Sequence, residues 1–331
     1  MKTAILALTK GGEKLANKIA DLQSDSFVDT EDLAVAKKFQ KLWQEVDAIV
    51  CIMATGIVVR CIGKLCKDKK KDPCVVVLDE KGRFVISLLS GHMGGGNLLT
   101  KQLAEQLGAQ AVITTASDVT GHTALDLWAV RNGLAVADPG KLTEKSAKLV
   151  NTGVLNVFSS CSFASVPKDF NIVSDPEKAD VIVTHVPFPT TASALVLRPP
   201  VLLVGLGCNR GTGARDFEDA VTELFVDSGL SLQSIVGYAS IDIKNDEQGM
   251  LDFVSSKGKT VQFYTKEELN SVDDVSSSDI VFAATGAKGV AEPAALLASV
   301  CQYGPGKLIV RKRKWKDVTV AVAMKQIRLV V

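Results

Sequence analysis

The chain has 331 residues and a mass of 35.2 kDa, which corresponds to about two domains of ordinary size. Hydrophobic residues make up 47% of the chain and charged residues 23%, which excludes disorder as the dominant state. The 38 Lys and Arg residues balance 37 Asp and Glu residues, and only 5% of residues are aromatic, so we expect neither nucleic acid nor a membrane surface as a partner.

Targeting and redox signals are weak. The first apolar run is interrupted at Lys10, which makes it too short for a signal peptide, and the sequence has no apolar stretch of the ~18 residues that a membrane-spanning helix needs. The seven cysteines include no C-x-x-C pair, and a zinc site from Cys61, Cys66 and Cys74 is much less favoured than reduced thiols. We therefore expect a cytoplasmic protein that holds no metal of its own.

Apolar runs of strand length alternate with segments of helical period along most of the chain. The predicted strands are 3–8, 47–53, 74–79, 83–87, 111–115, 181–184, 201–206, 234–241, 261–264, 279–284, 307–313 and 317–324. Predicted helices include one on Leu99, Leu103 and Leu107 that ends at Gly108, one on Phe217, Val221 and Leu224, and one behind Pro293.

This alternation predicts an α/β fold with an open, mainly parallel sheet in the N-terminal domain. The last two strands predict an antiparallel hairpin, and thus a mixed sheet in a second, C-terminal α/β domain. Six of the ten prolines fall between Pro167 and Pro200. We therefore expect an N-terminal domain over 1–116, a small middle segment with a proline-rich linker over 117–199, and a C-terminal domain over 200–331.

The most unusual segment is the glycine-rich stretch at 90–97, which follows a predicted strand and precedes a helix. Glycines let the backbone approach a ligand closely, and free amides at a helix start favour an anion or a developing oxyanion. The positive helix end should keep His92 neutral and able to act as a base. The alternative is a tight turn with an incidental histidine. The expected binding residues here are Ser90, Gly91, Gly94, Gly95 and Gly96.

Two other loops follow predicted strands and are expected to line the same crevice, because ligands bind at the carboxyl ends of parallel strands. One contains Asp118, which could orient or protonate a reacting group or simply cap the next helix. The other contains Thr55 and Gly56. Arg60 and Lys64, one turn apart on the following helix, could pair with substrate carboxylates.

The segment 205–211 resembles a dinucleotide-binding loop, but its spacing is one residue too long and no acid lies about twenty residues on at the end of the next strand. Thr212 is instead a plausible helix cap, and Arg210 beside it could bind an acidic group.

A third glycine cluster, at 285–293, contains Gly289 and Glu292. Pro293 suits the first helical position and would place Glu292 at the cap, where the helix dipole holds it ionised. We expect a ligand-facing loop with Glu292 as a second catalytic carboxylate, with structural capping as the competing interpretation.

These motifs resemble the cobalt-precorrin-5A hydrolase family of anaerobic cobalamin biosynthesis, the cobalamin biosynthesis protein G type. The resemblance covers nearly the whole chain, and its most specific parts are Ser-Gly-His at 90–92 and Val-Ala-Glu-Pro-Ala-Ala at 290–295. The matching segments are 53–60, 72–79, 84–92, 113–118, 205–212 and 289–295. Departures are His122, where related sequences often have a basic residue, and Arg215, where they often have an acid at the capping-box position.

The resemblance implies hydrolytic opening of the δ-lactone of cobalt-precorrin-5A, with a two-carbon unit expelled as acetaldehyde and cobalt-precorrin-5B as the product. It implies no cofactor, because cobalt arrives inside the corrinoid tetrapyrrole. His92 and the amides at 94–96, with Asp118 or Glu292, could supply the base, the oxyanion site and control of the leaving oxygen. His92 could alternatively coordinate the cobalt axially.

Two other classes of function remain at this stage. One is a non-catalytic tetrapyrrole-binding or channelling protein, and the other is a nucleotide-dependent enzyme, against which the lack of a G-x-x-x-x-G-K-[ST] motif counts. For partners, the sequence leaves open a second copy of the chain in a homo-oligomer and neighbouring pathway enzymes in transient contacts.

Overall fold

The computed structural model describes residues 1–68, 71–92, 94–188 and 193–331. Contacts between residues divide the chain into two compact units, Met1–Leu127 and Trp128–Val331. Residues 189–192, within the segment expected to contain a proline-rich linker, lie outside the described residues. No helix of the described residues is long and apolar enough to cross a membrane.

The first unit is built on a six-stranded sheet with the order β2-β1-β3-β4-β5-β6. Its strands are β1 (Thr3–Ala7), β2 (Ser26–Val28), β3 (Ala48–Ile52), β4 (Cys74–Leu78), β5 (Phe84–Leu89) and β6 (Gln110–Val112). The helices that begin in this unit are α1 (Lys10–Leu22), α2 (Val35–Leu42), α3 (Thr55–Ile62), α4 (Gly96–Leu107), α5 (Ala116–Thr120) and α6 (Leu125–Arg131).

Helices cover both faces of this sheet. Ile19 of α1 and Leu103 of α4 pack on one face, and Phe39 of α2 and Val58 of α3 pack on the other, so the sheet is buried between two apolar layers. The continuous Val-Val-Val run of β4 is fully buried, as expected for a strand covered on both sides. Helix α4 ends at Gly108 in a left-handed conformation, which confirms the predicted stop.

The sheet is parallel in every described pairing except one. β4 and β5 pair antiparallel, with Leu78 opposite Val85 and Val75 opposite Leu89, so β5 and β6 run against β1, β3 and β4. The carboxyl ends of β5 and β6 therefore lie at the opposite edge of the sheet from those of β1, β3 and β4. The expectation of a single crevice at one edge is wrong for this reason.

The second unit contains two five-stranded sheets, ordered β10-β8-β11-β12-β7 and β15-β14-β13-β17-β16, and the two-stranded pair β18-β9. Its strands are β7 (Ala135–Val136), β8 (Leu155–Ser159), β9 (Ser162–Phe163), β10 (Phe170–Ile172), β11 (Val181–Val183), β12 (Leu195–Arg198), β13 (Leu202–Cys208), β14 (Ile235–Ile241), β15 (Val261–Tyr264), β16 (Lys307–Lys314), β17 (Val318–Met324) and β18 (Arg328–Leu329). Its helices are α7 (Pro139–Thr152), α8 (Ala214–Asp227), α9 (Gln248–Ser256), α10 (Lys266–Asn270), α11 (Asp279–Thr285) and α12 (Ala291–Ala298).

The predicted fold class is confirmed, including the mixed C-terminal sheet, in which β13, β14 and β15 are parallel and the hairpin of β16 and β17 is antiparallel. The sequence did not predict the first of the two sheets, of which only β11 was foreseen. The predicted strand at 279–284 is wrong. This segment forms α11, which ends at Gly286 in a left-handed conformation, and its β-branched residues had suggested a strand.

Candidate active site

His92 lies in the turn between β5 and α4, where its imidazole meets two carboxylates. Nε2 is 3.0 Å from Oδ2 of Asp118 on α5, and Nδ1 is 3.4 Å from Oδ1 of Asp126 on α6. Each of the three side chains is about one-fifth exposed, so the group is accessible to a ligand but largely desolvated. The predicted pair of His92 and Asp118 is thus brought together, and Asp126 joins it.

Two residues of α4 hold Asp118 in place. Asn97 Nδ2 donates to Asp118 Oδ2 (2.8 Å) and to Thr115 Oγ1 (3.0 Å), while Lys101 Nζ donates to Asp118 Oδ1 (3.0 Å). Asn97 is itself fixed, because Ser87 donates its hydroxyl to Asn97 Oδ1 (2.7 Å). We call His92, Asn97, Lys101, Asp118 and Asp126 the His92 cluster.

Gly91 provides the space that this arrangement needs. A Cβ atom at this position would lie 2.4 Å from Asn97 Oδ1 and 3.1 Å from the Ser87 hydroxyl. Any larger residue would push Asn97 away from Asp118. The glycine therefore serves close packing within the site.

The pKa of His92 is shifted in the direction opposite to the one expected from the helix start. Its interaction with Asp126 is the main cause that raises the pKa of His92; burial opposes this increase, and Asp118 adds to it. The helix start had been expected to keep the ring neutral, but two carboxylates in contact outweigh a partial helix charge. The two carboxylates thus favour the protonated ring more than in an isolated histidine, which suits His92 to donating a proton.

The two carboxylates remain ionised. Burial favours the neutral acid at Asp118, but hydrogen bonds from Lys101 and Asn97 outweigh it and hold the pKa of Asp118 below its usual range. Burial likewise opposes ionisation of Asp126, and its interaction with His92 overcomes this and lowers the pKa of Asp126. The cluster is thus an imidazole held between two carboxylates that favour its protonation.

The backbone amides of the glycine loop were expected to form an oxyanion site, and most of them already have acceptors. Gly95 N donates to the His92 carbonyl (3.1 Å), and Gly96 N donates to the Ser90 carbonyl (3.3 Å). The Ser90 hydroxyl donates to the carbonyl of Asp72 (3.2 Å). The loop curls back on itself, so its amides stabilise the turn and the expectation of a preformed oxyanion hole is not supported.

Thr55 and Gly56 lie at the opposite edge of the sheet from the His92 cluster, at the start of α3. Thr55 lines a half-open, mainly apolar cavity of about 550 Å³ at the carboxyl ends of β1, β3 and β4. Arg60 Nη1 turns back to the Gly56 carbonyl (3.3 Å), and Lys64 is exposed in the turn after α3. The structure therefore does not bring Thr55 and Gly56 together with His92.

Arg210 lies in the second unit, where its guanidinium is engaged by acids. It forms a short ion pair with Asp246 and lies 3.7 Å from Glu247. The glycines beside it are structural, since a Cβ atom at Gly205 would lie 1.8 Å from the carbonyl oxygen of Ala291 in α12. Helix α8 begins after Gly213, one residue later than expected, so that the acid at its capping position is Asp216 (3.1 Å to Gly213 N).

Glu292 is also in the second unit and is buried, with 1% of its surface exposed. Its carboxylate accepts Ser276 N (2.7 Å), the Ser276 hydroxyl (3.0 Å) and Lys312 N (2.8 Å). Helix α12 begins at Ala291, so Glu292 is inside the helix and not at its cap. Gly289 is buried as well, and a Cβ there would lie 2.7 Å from the Ser276 carbonyl. This geometry favours the structural alternative for both residues and shows a loop that faces the interior.

Sequence reasoning missed Asn97, Lys101 and Asp126. Asn97 and Lys101 stand four residues apart, which places both on one face of the predicted helix beside the glycine loop, and this spacing was a usable signal. Asp126 had no comparable signal, because its position against His92 depends on how α6 packs.

Comparisons with known proteins agree with one another. The profile described as "Cobalamin synthesis G N-terminal" matches residues 37–118, and "Cobalamin synthesis G C-terminus" matches residues 202–323. A cobalt-precorrin-5A hydrolase of Priestia megaterium is 34% identical over 97% of this chain and 94% of its own length. The cobalt-precorrin-5A hydrolase of Salmonella typhimurium is 29% identical over 97% of each chain.

Among solved structures, a cobalamin biosynthesis protein G homologue from Sulfolobus solfataricus aligns over 98% of this chain and 97% of its own, at 20% identity and a TM-score of 0.38. The two profiles match the N-terminal and C-terminal parts of the chain, and the relatives match along nearly all of it. The chain belongs to the cobalamin synthesis G family.

Proposed function

We propose that this protein is a cobalt-precorrin-5A hydrolase, which opens the δ-lactone of that corrinoid and releases acetaldehyde to give cobalt-precorrin-5B in anaerobic cobalamin biosynthesis. Relatives that carry this name match along nearly the whole chain. The observation that carries the proposal is the partly exposed imidazole of His92 held between Asp118 and Asp126.

The reaction needs proton transfer in both directions at one oxygen. Water adds to the lactone carbonyl, the acyl C–O bond breaks, and the ring oxygen leaves as an alkoxide that must be protonated. The resulting hydroxyl then loses its proton while a C=O bond forms. The adjacent C–C bond breaks, acetaldehyde departs, and the electron pair and a proton go to the macrocycle. An acid that becomes a base in the next step suits this sequence.

His92 has the properties for both transfers. It starts as the imidazolium that Asp126 and Asp118 stabilise, so it can protonate the leaving oxygen. The neutral ring that remains can then take the proton back as acetaldehyde forms. Asp118 is the carboxylate we assign to activate the attacking water, because it contacts His92 and Glu292 is buried among its own hydrogen-bond donors.

We propose that the cobalt ion enters as part of the substrate and that no further cofactor takes part. Axial coordination of cobalt by His92 is the less favoured alternative, because both ring nitrogens lie within 3.4 Å of a carboxylate oxygen and one of these contacts would have to break. We also propose a cytoplasmic location. A homo-oligomer and contacts with pathway enzymes stay predictions.

The test is anaerobic incubation of the purified chain with cobalt-precorrin-5A, with acetaldehyde trapped as a hydrazone and the macrocycle analysed by mass spectrometry. We expect one acetaldehyde per macrocycle converted, and a product that has gained one water and lost one acetaldehyde. A macrocycle that binds but is recovered unchanged would instead support the non-catalytic tetrapyrrole-binding alternative.

A further inference from the structure

The second unit contains a cavity of about 370 Å³ that no part of the proposed reaction uses. Residues of α8, α9 and β14 line it, and its apolar walls include Val221, Ile235 and Phe253, which are all buried. Cavities of about 300–1,000 Å³ with mainly apolar walls and a few polar groups are typical of small-molecule sites. This cavity therefore has the size and the lining of a binding site.

Tyr238 supplies a hydrogen-bonding group inside the cavity. It lines the cavity, is 3% exposed, and packs edge-on against Phe253 with the ring centres 5.2 Å apart. Its hydroxyl forms no hydrogen bond with any described residue, yet it is not among the polar atoms that protein encloses completely without a partner. The hydroxyl therefore opens into the cavity, where a ligand can reach it.

This hydroxyl is suited to donate a hydrogen bond. Burial raises the pKa of Tyr238, and the carboxylate of Glu218 adds to the increase, so the phenol stays protonated and neutral. Buried tyrosine hydroxyls usually have a hydrogen-bond partner, because a buried donor without one costs free energy. A ligand with an acceptor oxygen at its buried end would supply the partner that Tyr238 lacks.

Two lysines give the open side of the cavity a positive charge. Lys257 and Lys259 both line the cavity and both are exposed. The Lys257 ammonium lies 5.7 Å from the centre of the Phe253 ring and 2.5 Å from Glu218 Oε1, so its charge is largely balanced. Lys259 forms no ion pair within the part of the chain that the structure describes. The net charge at the opening is therefore positive, which favours an anion.

We propose that this cavity binds a small amphipathic carboxylate, with an apolar ring beside Phe253, an acceptor oxygen on the Tyr238 hydroxyl and the carboxylate near Lys259. A ring suits the site because Tyr238 and Phe253 offer aromatic surfaces against which it can pack. The inference does not rest on the corrinoid reaction, since the cavity belongs to the second unit and the His92 cluster to the first.

The test uses the full chain and para-acetylbenzoate, which has an acceptor oxygen at one end and a carboxylate at the other. The neutral para-acetylbenzamide serves as the probe without charge. Dissociation constants are measured by NMR titration for the wild type, Tyr238→Phe and Lys259→Gln. Thermal unfolding is measured for each protein.

Two matched controls lie away from the cavity. Tyr264→Phe removes a hydroxyl that donates to Gln262 (2.7 Å), from a ring that packs in a different apolar cluster of the same sheet from the one that contains Tyr238. Lys316→Gln removes an exposed lysine from the turn between β16 and β17.

We expect para-acetylbenzoate to bind the wild type and both controls saturably, with a dissociation constant of about 1 mM or lower. Tyr238→Phe should bind it about tenfold more weakly, because one hydrogen bond is lost. Lys259→Gln should bind it about threefold more weakly, and added salt should weaken the carboxylate but not the amide. The Tm of Tyr238→Phe should not fall, because the hydroxyl has no partner in the described structure.

The proposal has several ways to fail. Absence of saturable binding of para-acetylbenzoate to the folded wild type would overturn it, as would equal binding by the wild type and Tyr238→Phe. Equal affinity for the carboxylate and the amide would show that the site does not select an anion. A lower Tm in Tyr238→Phe with unchanged binding would make the hydroxyl a structural group. None of these measurements uses the corrinoid, so their outcome is independent of the proposed function.

Discussion

The substitution Glu292→Gln tests whether the Glu292 carboxylate stabilises the fold or takes part in catalysis, because the two roles change different measurements. The wild-type Glu292 is buried, with 1% of its surface exposed. Its carboxylate accepts three hydrogen bonds, from Ser276 N, the Ser276 hydroxyl and Lys312 N. Glutamine offers one acceptor oxygen and one NH₂ group, so in either orientation the NH₂ faces a backbone N–H. One hydrogen bond to a charged acceptor is lost and a buried donor is left without a partner.

The expected decrease in the free energy of unfolding follows from these contacts. A hydrogen bond to a charged group contributes about 1.5–3 kcal/mol, and an unsatisfied buried donor costs about 1–3 kcal/mol. These terms overlap, so we expect the free energy of unfolding to fall by roughly 2–4 kcal/mol. For a unit of this size each kcal/mol lowers Tm by about 2–4 °C, which predicts a decrease of roughly 5–15 °C.

The assay is thermal unfolding by circular dichroism, together with acetaldehyde release measured well below both midpoints. The matched control is Glu267→Gln, which also removes a glutamate from a first helical turn but at a position with an exposed side chain. It should lose only the helix-dipole contribution, about 0.3–1 kcal/mol. We expect Glu292→Gln to keep most of its activity while it is folded.

The opposite pattern would refute this reasoning. An unchanged Tm with a loss of rate of about 10²–10⁴-fold would mean that the Glu292 carboxylate transfers a proton, as the sequence had suggested.

Two further predictions concern the charge of His92. In Asp126→Asn the main cause of the raised His92 pKa is removed, so the loss of activity on the alkaline side should move to lower pH; a pH–rate profile identical to the wild type would contradict the role of Asp126. Because the folded-state pKa of His92 is above its ordinary value of about 6.5, its stabilising contribution is complete below that pH and is lost as pH rises through the folded pKa. Unfolding of His92→Gln should therefore depend less on pH than that of the wild type above about pH 6.5, and equal dependence in both proteins would count against the imidazolium.

Much of the fold could be predicted from local sequence. β1, β3 and β4 are continuous apolar runs, and α4 combines periodic leucines with a glycine at its end. The direction of β5 was also predictable in principle. Only five residues separate β4 from β5, and a parallel crossover needs a dozen or more, so an antiparallel pair is required. Recognising this would have placed His92 and Thr55 at different edges of the sheet.

Other features could not be predicted from one sequence. The carboxylate of Asp126 contacts His92 from a distant part of the chain, and nothing in the local sequence records such a contact. Glu292 looked catalytic because a glycine loop precedes it, but its partners, Ser276 and Lys312, are sixteen and twenty residues away along the chain. The strands of the middle segment are two to five residues long, too short to show a clear period.

The most direct test of the account is acetaldehyde release from cobalt-precorrin-5A by His92→Ala, with His185→Ala as the matched histidine control. We expect turnover by His92→Ala to fall by about 10²–10⁴-fold while the macrocycle still binds, and His185→Ala to turn over like the wild type. Wild-type turnover by a folded His92→Ala variant would contradict the claim that the His92 cluster performs the reaction.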